Sequence, residues 1–145
     1  MHVRPARADD ADAVAAFTRD TWPDRSVDDY VPRAFERWVE ARTEDRRALV
    51  AEVDGAVAGV VQGVLLSPWE AWAQGLRIDP DHRGAGVGSA LTKAVFSWAS
   101  ARGATVVRNI VFSWNTPSLG LSRSVGFEPA TEFRWATPAP DTEAS

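Results

Sequence analysis

Apolar residues recur along the chain in two rhythms, and the changes of rhythm mark the elements. Residues 3–5 read as a short strand, after which Asp9, Asp10 and Asp12 crowd the first turn of an alanine-rich helix running to about residue 19. Carboxylates suit that end, where unpaired N–H groups leave partial positive charge. Val14 and Phe17 supply the helix with an apolar stripe. Thr21-Trp22-Pro23-Asp24 breaks it, and residues 27–41 resume helical spacing with Val31, Phe35, Trp38 and Val39 on one face and Pro32 in the first turn. Residues 48–53 and 56–66 flank Asp54-Gly55, a hairpin signal because Asp-Gly supplies the positive φ angles of a tight turn. Ser67-Pro68 closes that hairpin, and residues 69–78 form a further strand.

Asp79-Pro80 ends this strand, and the run Arg83-Gly84-Ala85-Gly86-Val87-Gly88 opens a helix to about residue 101, with Val87, Leu91, Ala94, Val95 and Trp98 on its buried face. Gly103 stops it. Residues 105–112 are β-branched and read as a central strand, Asn115-Thr116-Pro117 starts a short helix, and Gly126 caps it. Residues 127–136 read as a last strand, and residues 137–145, with two prolines and no apolar cluster, as a frayed tail.

Composition narrows the chemistry. A chain of 145 residues, 45% hydrophobic and 25% charged, fits one domain that folds without covalent staples. No window approaches the roughly 18 apolar residues of a membrane span, and the start lacks the apolar run of a secretion signal, so a soluble cytoplasmic protein is expected. Zero cysteines exclude disulfides, thiolate metal sites and a cysteine nucleophile, and His2 and His82 are too far apart in sequence to suggest a zinc site. No metal is expected. A formal charge of −4 offers no general attraction to nucleic acid and mildly favours cationic partners such as amines.

A strand, a glycine-rich turn and a helix start together form a device for holding phosphate: free N–H groups converge, the helix dipole helps, and absent side chains permit close approach. Here the turn is Arg83-Gly84-Ala85-Gly86-Val87-Gly88-Ser89. Its glycines recur at intervals of two, unlike the dinucleotide fingerprint, and the Walker lysine is missing. On this segment alone, a turn whose glycines merely cap two elements is an equal alternative.

The wider context separates the two. Leu76-Arg77-Ile78-Asp79-Pro80-Asp81-His82-Arg83-Gly84-Ala85-Gly86-Val87-Gly88 resembles the signature of GNAT-type N-acetyltransferases: a strand, a proline, two residues, then Arg/Gln-Gly-x-Gly-x-Gly/Ala. A second family motif is matched by Asn115, Ser118, Leu121, Gly126 and Phe127, and Val3-Arg4-Pro5-Ala6 with Asp10 and the Glu52-Val53-Asp54-Gly55 hairpin match as well. The resemblance spans about residues 1–136, as one domain. It implies an α/β fold: a mixed, mostly antiparallel sheet of six to seven strands with about four helices on both faces.

It further implies that Arg83, Gly84, Ala85, Gly86, Val87, Gly88 and Ser89 wrap the pyrophosphate of acetyl-CoA through main-chain N–H groups. The main chain at Leu76, Arg77 and Ile78 would run beside the pantetheine arm and donate to the thioester carbonyl, polarising it as an amine attacks. Asn115, at the mouth of the gap between two splayed strands, would contact the same arm. Attack needs a neutral amine, so an ammonium acceptor must lose a proton, commonly to a carboxylate through water. Glu70 and Glu52 are the candidates. Glu70 stands eight positions before Ile78, on the same face unless a bulge at Gly75 resets the register; an exposed strand-edge charge is its alternative role. Glu52 abuts the hairpin turn, where a solvated side chain is the simpler expectation.

Ser122 stands where many family members carry the tyrosine that protonates the departing thiolate, and serine serves there only through a water. Seven tryptophans are spread through the chain. Trp38 and Trp98 read as core, whereas Trp22, Trp72 and Trp114 are candidates to line an acceptor site by stacking or cation–π contact, or else to cover a homodimer surface. The expected activity is acetyl transfer from acetyl-CoA to a primary amine of a small molecule or peptide in a direct ternary complex. The alternative is a catalytically weak GNAT-like module that binds acyl-CoA or a protein partner.

Overall fold

A computed structural model describes residues 1–18, 31–41, 43–109, 121 and 123–127. The expectations for Trp22, Trp114, Asn115, Ser118 and Ser122, and for a strand over 127–136, fall beyond Phe127 or otherwise outside these residues. Within them the order is β1 (His2–Pro5), α1 (Ala11–Thr18), α2 (Val31–Glu40), β2 (Arg46–Val53), β3 (Ala56–Ser67), β4 (Glu70–Ile78), α3 (Val87–Ala101) and β5 (Val106–Arg108), with single 3₁₀ turns at Ala8–Asp10 and Pro80–His82. The strands form one five-stranded sheet in the order β1-β2-β3-β4-β5. All neighbours are antiparallel except β4 and β5, which run parallel. The mixed, mostly antiparallel sheet matches the expectation, with five strands and three α-helices among the described residues.

Each strand alternates between two apolar layers, as the period of two requires. Leu49, Ala51, Val61 and Ala71 face α3 and pack with Leu91, Val95 and Trp98. Ala48, Val50 and Val60 face the other way, against Val14 of α1 and Val31, Phe35 and Trp38 of α2. Helix α2 spans ten residues and buries Val31, Ala34, Phe35 and Trp38, one stripe at helical spacing. A helix this short is marginal alone, so the layer beneath it holds it in place. Pro32 is the second residue of its described part. The Asp54-Gly55 hairpin forms as expected, with φ of 52° and 82° at its two turn residues.

Two glycines of β3 set how closely α3 approaches. A β-carbon at Gly59 would lie 2.7 Å from Val87 Cγ1, and one at Gly63 would lie 2.8 Å from Trp98 Cζ3. The helix therefore rests almost on the β3 backbone, which fixes its N-terminus beside the end of β4.

Candidate active site

β4 carries the organising irregularity. Val60 pairs with Arg77 and Gln62 with Gln74, so Gly75 and Leu76 together oppose the single residue Val61. This is a bulge, and Gly75 occupies the left-handed region at φ 68°. A side chain there would also run into the indole of Trp38, so glycine is required twice over. The extra residue exchanges the faces. Ala71 and Ala73 pack in the α3 layer before it, Leu76 and Ile78 after it. Glu70, Trp72 and Gln74 consequently face the α1–α2 side, opposite Ile78. The register reset that Gly75 allowed is the one that occurs.

Downstream, Asp79 shapes the turn: its carboxylate accepts from the Asp81 N–H at 3.0 Å and lies 3.3 Å from His82 Nδ1. His82 is thus held in the turn as a partner of Asp79. The loop then passes through Gly84 and Gly86, at φ 82° and 81°, with open space where either β-carbon would stand. Gly86 is the N-cap of α3 and provides no side-chain hydrogen bond, so the N–H groups of Val87, Gly88 and Ser89 at the head of a 15-residue helix lack helical acceptors. Arg83–Ser89 thus form a turn with two left-handed glycines that leads directly into the start of α3. Gly88 ties it to the two other motifs: a β-carbon there would meet Leu121 Cδ2 at 2.7 Å and Ile78 Cδ1 at 2.8 Å.

β4 and β5 pair at Glu70–Val106, Ala71–Val107 and Trp72–Arg108. Among the described residues, the pairing of β4 with β5 ends at Trp72, and Leu76–Ile78 lies next to the glycine loop. Arg77 Nη1 donates to the Leu76 carbonyl at 2.9 Å.

The two candidate carboxylates sit in different settings. Glu52 accepts from Arg4 Nε at 2.9 Å, and the same guanidinium reaches both oxygens of Asp10 at 2.8 and 2.9 Å. Burial pushes the Asp10 carboxyl up, but hydrogen bonds from Arg4 and from the Arg7 N–H, with their charges, outweigh it and hold the group below its ordinary range. The Asp10 bond, against an opposing burial effect and aided by Glu52, holds Arg4 protonated far above its usual value. Glu52 thus belongs to a fastening between β1, β2 and the start of α1. Glu70 is partly exposed and accepts from Arg108 Nε at 2.6 Å. Six residues separate it from Leu76, roughly 20 Å along an extended strand.

Trp38 and Trp98 are core, as expected, at 7% and 8% exposure. Trp72 is partly buried on the α1–α2 face, whereas Trp69 is 61% exposed at the β3–β4 turn. A pocket of about 420 Å³ lined by Glu44, Leu65, Pro68 and Arg102 lies at that turn, at the opposite end of β4 from the glycine loop. Sequence reasoning missed Arg108, Gln62 and Gln74. Their spacing carries no motif, and the sheet register and the bulge place them. Among the described residues no group of three His, Cys, Asp or Glu side chains fits a metal, and no helix is long and apolar enough to cross a membrane.

Comparison with known proteins agrees with this geometry. The sequence profile of the acetyltransferase (GNAT) family matches residues 11–127. The L-amino acid N-acyltransferase MnaT of Escherichia coli K12 is 32% identical, over 88% of this chain and 79% of its own. Among solved structures, the aminoglycoside acetyltransferase AAC(6')-Iy, bound to the bisubstrate analogue CoA-S-monomethyl-acetylneamine, superposes with TM-score 0.74 at 19% identity, covering 95% of this chain and 97% of its own. The ribosomal-protein-S18-alanine N-acetyltransferase of Escherichia coli superposes with TM-score 0.71 at 20% identity, covering 90% and 79%.

Proposed function

Because the chain belongs to the GNAT acetyltransferase family, we propose that it moves the acetyl group of acetyl-CoA to a primary amine in a direct ternary complex. The observation that carries this reading is the loop Arg83–Ser89, whose two left-handed glycines lead into the uncapped N-terminus of α3 beside the end of β4. A pyrophosphate fits such a cradle by charge and by donor geometry. The pantetheine arm then pairs along Leu76–Ile78, with Asn115 as a further contact.

A main-chain N–H at the bulge donates to the thioester oxygen, and the amine nitrogen attacks the carbonyl carbon. The tetrahedral intermediate collapses with loss of the CoA thiolate, and the amine proton passes to water. The cofactor side of β4 faces α3, so the acceptor approaches from the α1–α2 side, where Trp72 and Glu70 stand, with Trp22 and Trp114 proposed as further lining. The spacing of Glu70 along β4 favours capture of a cationic acceptor over direct proton abstraction, and the Arg4 fastening leaves Glu52 less suited to either role.

The acceptor classes named by the relatives set the trial panel: L-amino acids, their amides, an aminoglycoside and an alanine-terminated peptide. The test has two steps. Acetyl-CoA at a hundred times its dissociation constant adds about 2.7 kcal/mol to the folded state and raises the melting midpoint by several degrees. Release of free CoA with the panel then reports transfer. No midpoint shift at millimolar acetyl-CoA removes the cofactor site from the proposal, and a shift without CoA release from any amine removes the transferase.

Ser122, in place of the usual tyrosine, favours a second reading in which the domain holds acyl-CoA without turning it over. Ser122→Tyr separates the two: a rise in turnover identifies an impaired thiolate protonation, and inactivity of both forms supports the binding module.

A further inference from the structure

The face of β4 proposed for the acceptor contains a polar pair in an apolar layer. Gln62 lies in mid-β3 and is completely buried, flanked on its own face by Ala48, Val60 and Val64. Gln74 opposes it across the sheet and is partly exposed, immediately before the bulge at Gly75. Gln74 Nε2 donates to Gln62 Oε1 at 2.7 Å. Gln62 Nε2 is buried without an acceptor.

A buried glutamine with one amide end unmet is a poor structural choice, since an isosteric apolar side chain would remove the unsatisfied donor and keep the packing. What the arrangement achieves is placement. The bond ties the Gln74 carboxamide to a buried side chain of β3, so Gln62 sets where that carboxamide stands. It belongs to the residue two positions before Leu76, where the thioester carbonyl is proposed to rest. A carboxamide oxygen accepts from an amine N–H yet carries no charge. It therefore orients the nucleophile while favouring the unreactive ammonium form less than a carboxylate would.

We infer that Gln74 binds the attacking amine through its amide oxygen, and that buried Gln62 is the positioning residue that holds the Gln74 carboxamide in place. This rests on the transferase reading above. In the transfer step the amine nitrogen forms the new C–N bond, the C–S bond breaks, and the proton leaves to water; Gln74 aligns the nitrogen and takes no proton.

The test uses acetyl-CoA with the best acceptor of the panel and the variants Gln74→Leu, Gln62→Leu and their combination. Gln74→Leu is expected to lower kcat/KM for the amine roughly 10- to 100-fold, with KM for acetyl-CoA unchanged. Gln62→Leu is expected to raise the melting midpoint while lowering kcat/KM for the amine, a trade of stability against activity that a structural glutamine would not show. The double variant should be no slower than Gln74→Leu, because the two residues act as a unit. Gln62→Met and Gln74→Met repeat the comparison with unbranched side chains should a leucine variant fail to fold.

Unchanged amine kinetics in Gln74→Leu, or a loss of stability with unchanged kinetics in Gln62→Leu, overturns the inference alone. Absence of turnover in the wild type, with the acetyl-CoA midpoint shift intact, overturns the transferase reading and the inference with it.

Discussion

Arg4 and Asp10 form a two-pronged ion pair, with Nη1 and Nη2 of the guanidinium 2.9 and 2.8 Å from the two carboxylate oxygens. Asp10 also accepts from the Arg7 N–H at 2.7 Å, so one buried carboxylate fastens β1 to the turn that starts α1. Removing its charge leaves Arg4 with Glu52 as its remaining carboxylate. Asp10→Asn should therefore cost on the order of 3 kcal/mol at neutral pH, measured by urea unfolding.

The same carboxylate predicts a pH dependence. Its native pKa is depressed, so its contribution is complete above the ordinary aspartate value of 3.8 and is lost as pH falls through the lower native value. Wild-type stability should decline through that acid window more steeply than that of Asp10→Asn, and the two unfolding curves should converge at the acid end.

Gly75→Ala meets two penalties, a left-handed backbone and the Trp38 ring. A loss of about 1–3 kcal/mol is expected from overpacking, with backbone strain adding to it. Trp38→Leu in the Gly75→Ala background should recover part of the difference that it costs in the wild type, and a double-mutant cycle in thermal unfolding reads that coupling.

At Gly84 and Gly86 the space for a β-carbon is empty, so alanine brings backbone strain alone, about 1–2 kcal/mol at each position. Either β-carbon would stand where the pyrophosphate is proposed to approach. The midpoint shift produced by acetyl-CoA should fall by more than the loss of stability explains; an undiminished shift would place the phosphates elsewhere.

Glu70→Gln releases Arg108 from a half-exposed pair and should change stability by less than about 1 kcal/mol. Its expected effect is on the acceptor: kcat/KM for cationic amines falls roughly 3- to 10-fold at low salt, and the difference narrows as salt screens the charge. Equal kinetics at low and high ionic strength would confine Glu70 to the surface pair.

The elements that declare themselves locally are legible in the sequence. Asp54-Gly55 fixes a hairpin through its backbone angles, Val31, Phe35 and Trp38 fix the buried stripe of α2, and Asp79-Pro80 with the three glycines fixes the loop before α3. Helical spacing from residue 27 predicts the second helix, whose described part begins at Val31. What the sequence conceals is sidedness. A single unpaired position at Gly75 reverses every face assignment upstream of it, which is why Glu70 could be placed relative to Ile78 only conditionally. Partners distant along the chain were equally hidden: Arg108 lies 38 residues from Glu70, and Arg4 lies 48 residues from Glu52. Gln62 read as an ordinary strand residue, because nothing in its neighbours announces a buried amide.

The bulge also separates two design problems. Because the reversal falls at Gly75, one continuous strand turns separate sets of residues to its two faces: Leu76 and Ile78 toward the loop and α3, Trp72 and Gln74 toward α1 and α2. Under the proposed function, substitutions at Trp72 or Gln74 address the acceptor without touching the side chains beside the cofactor, and the boundary between the two sets is a residue without a side chain.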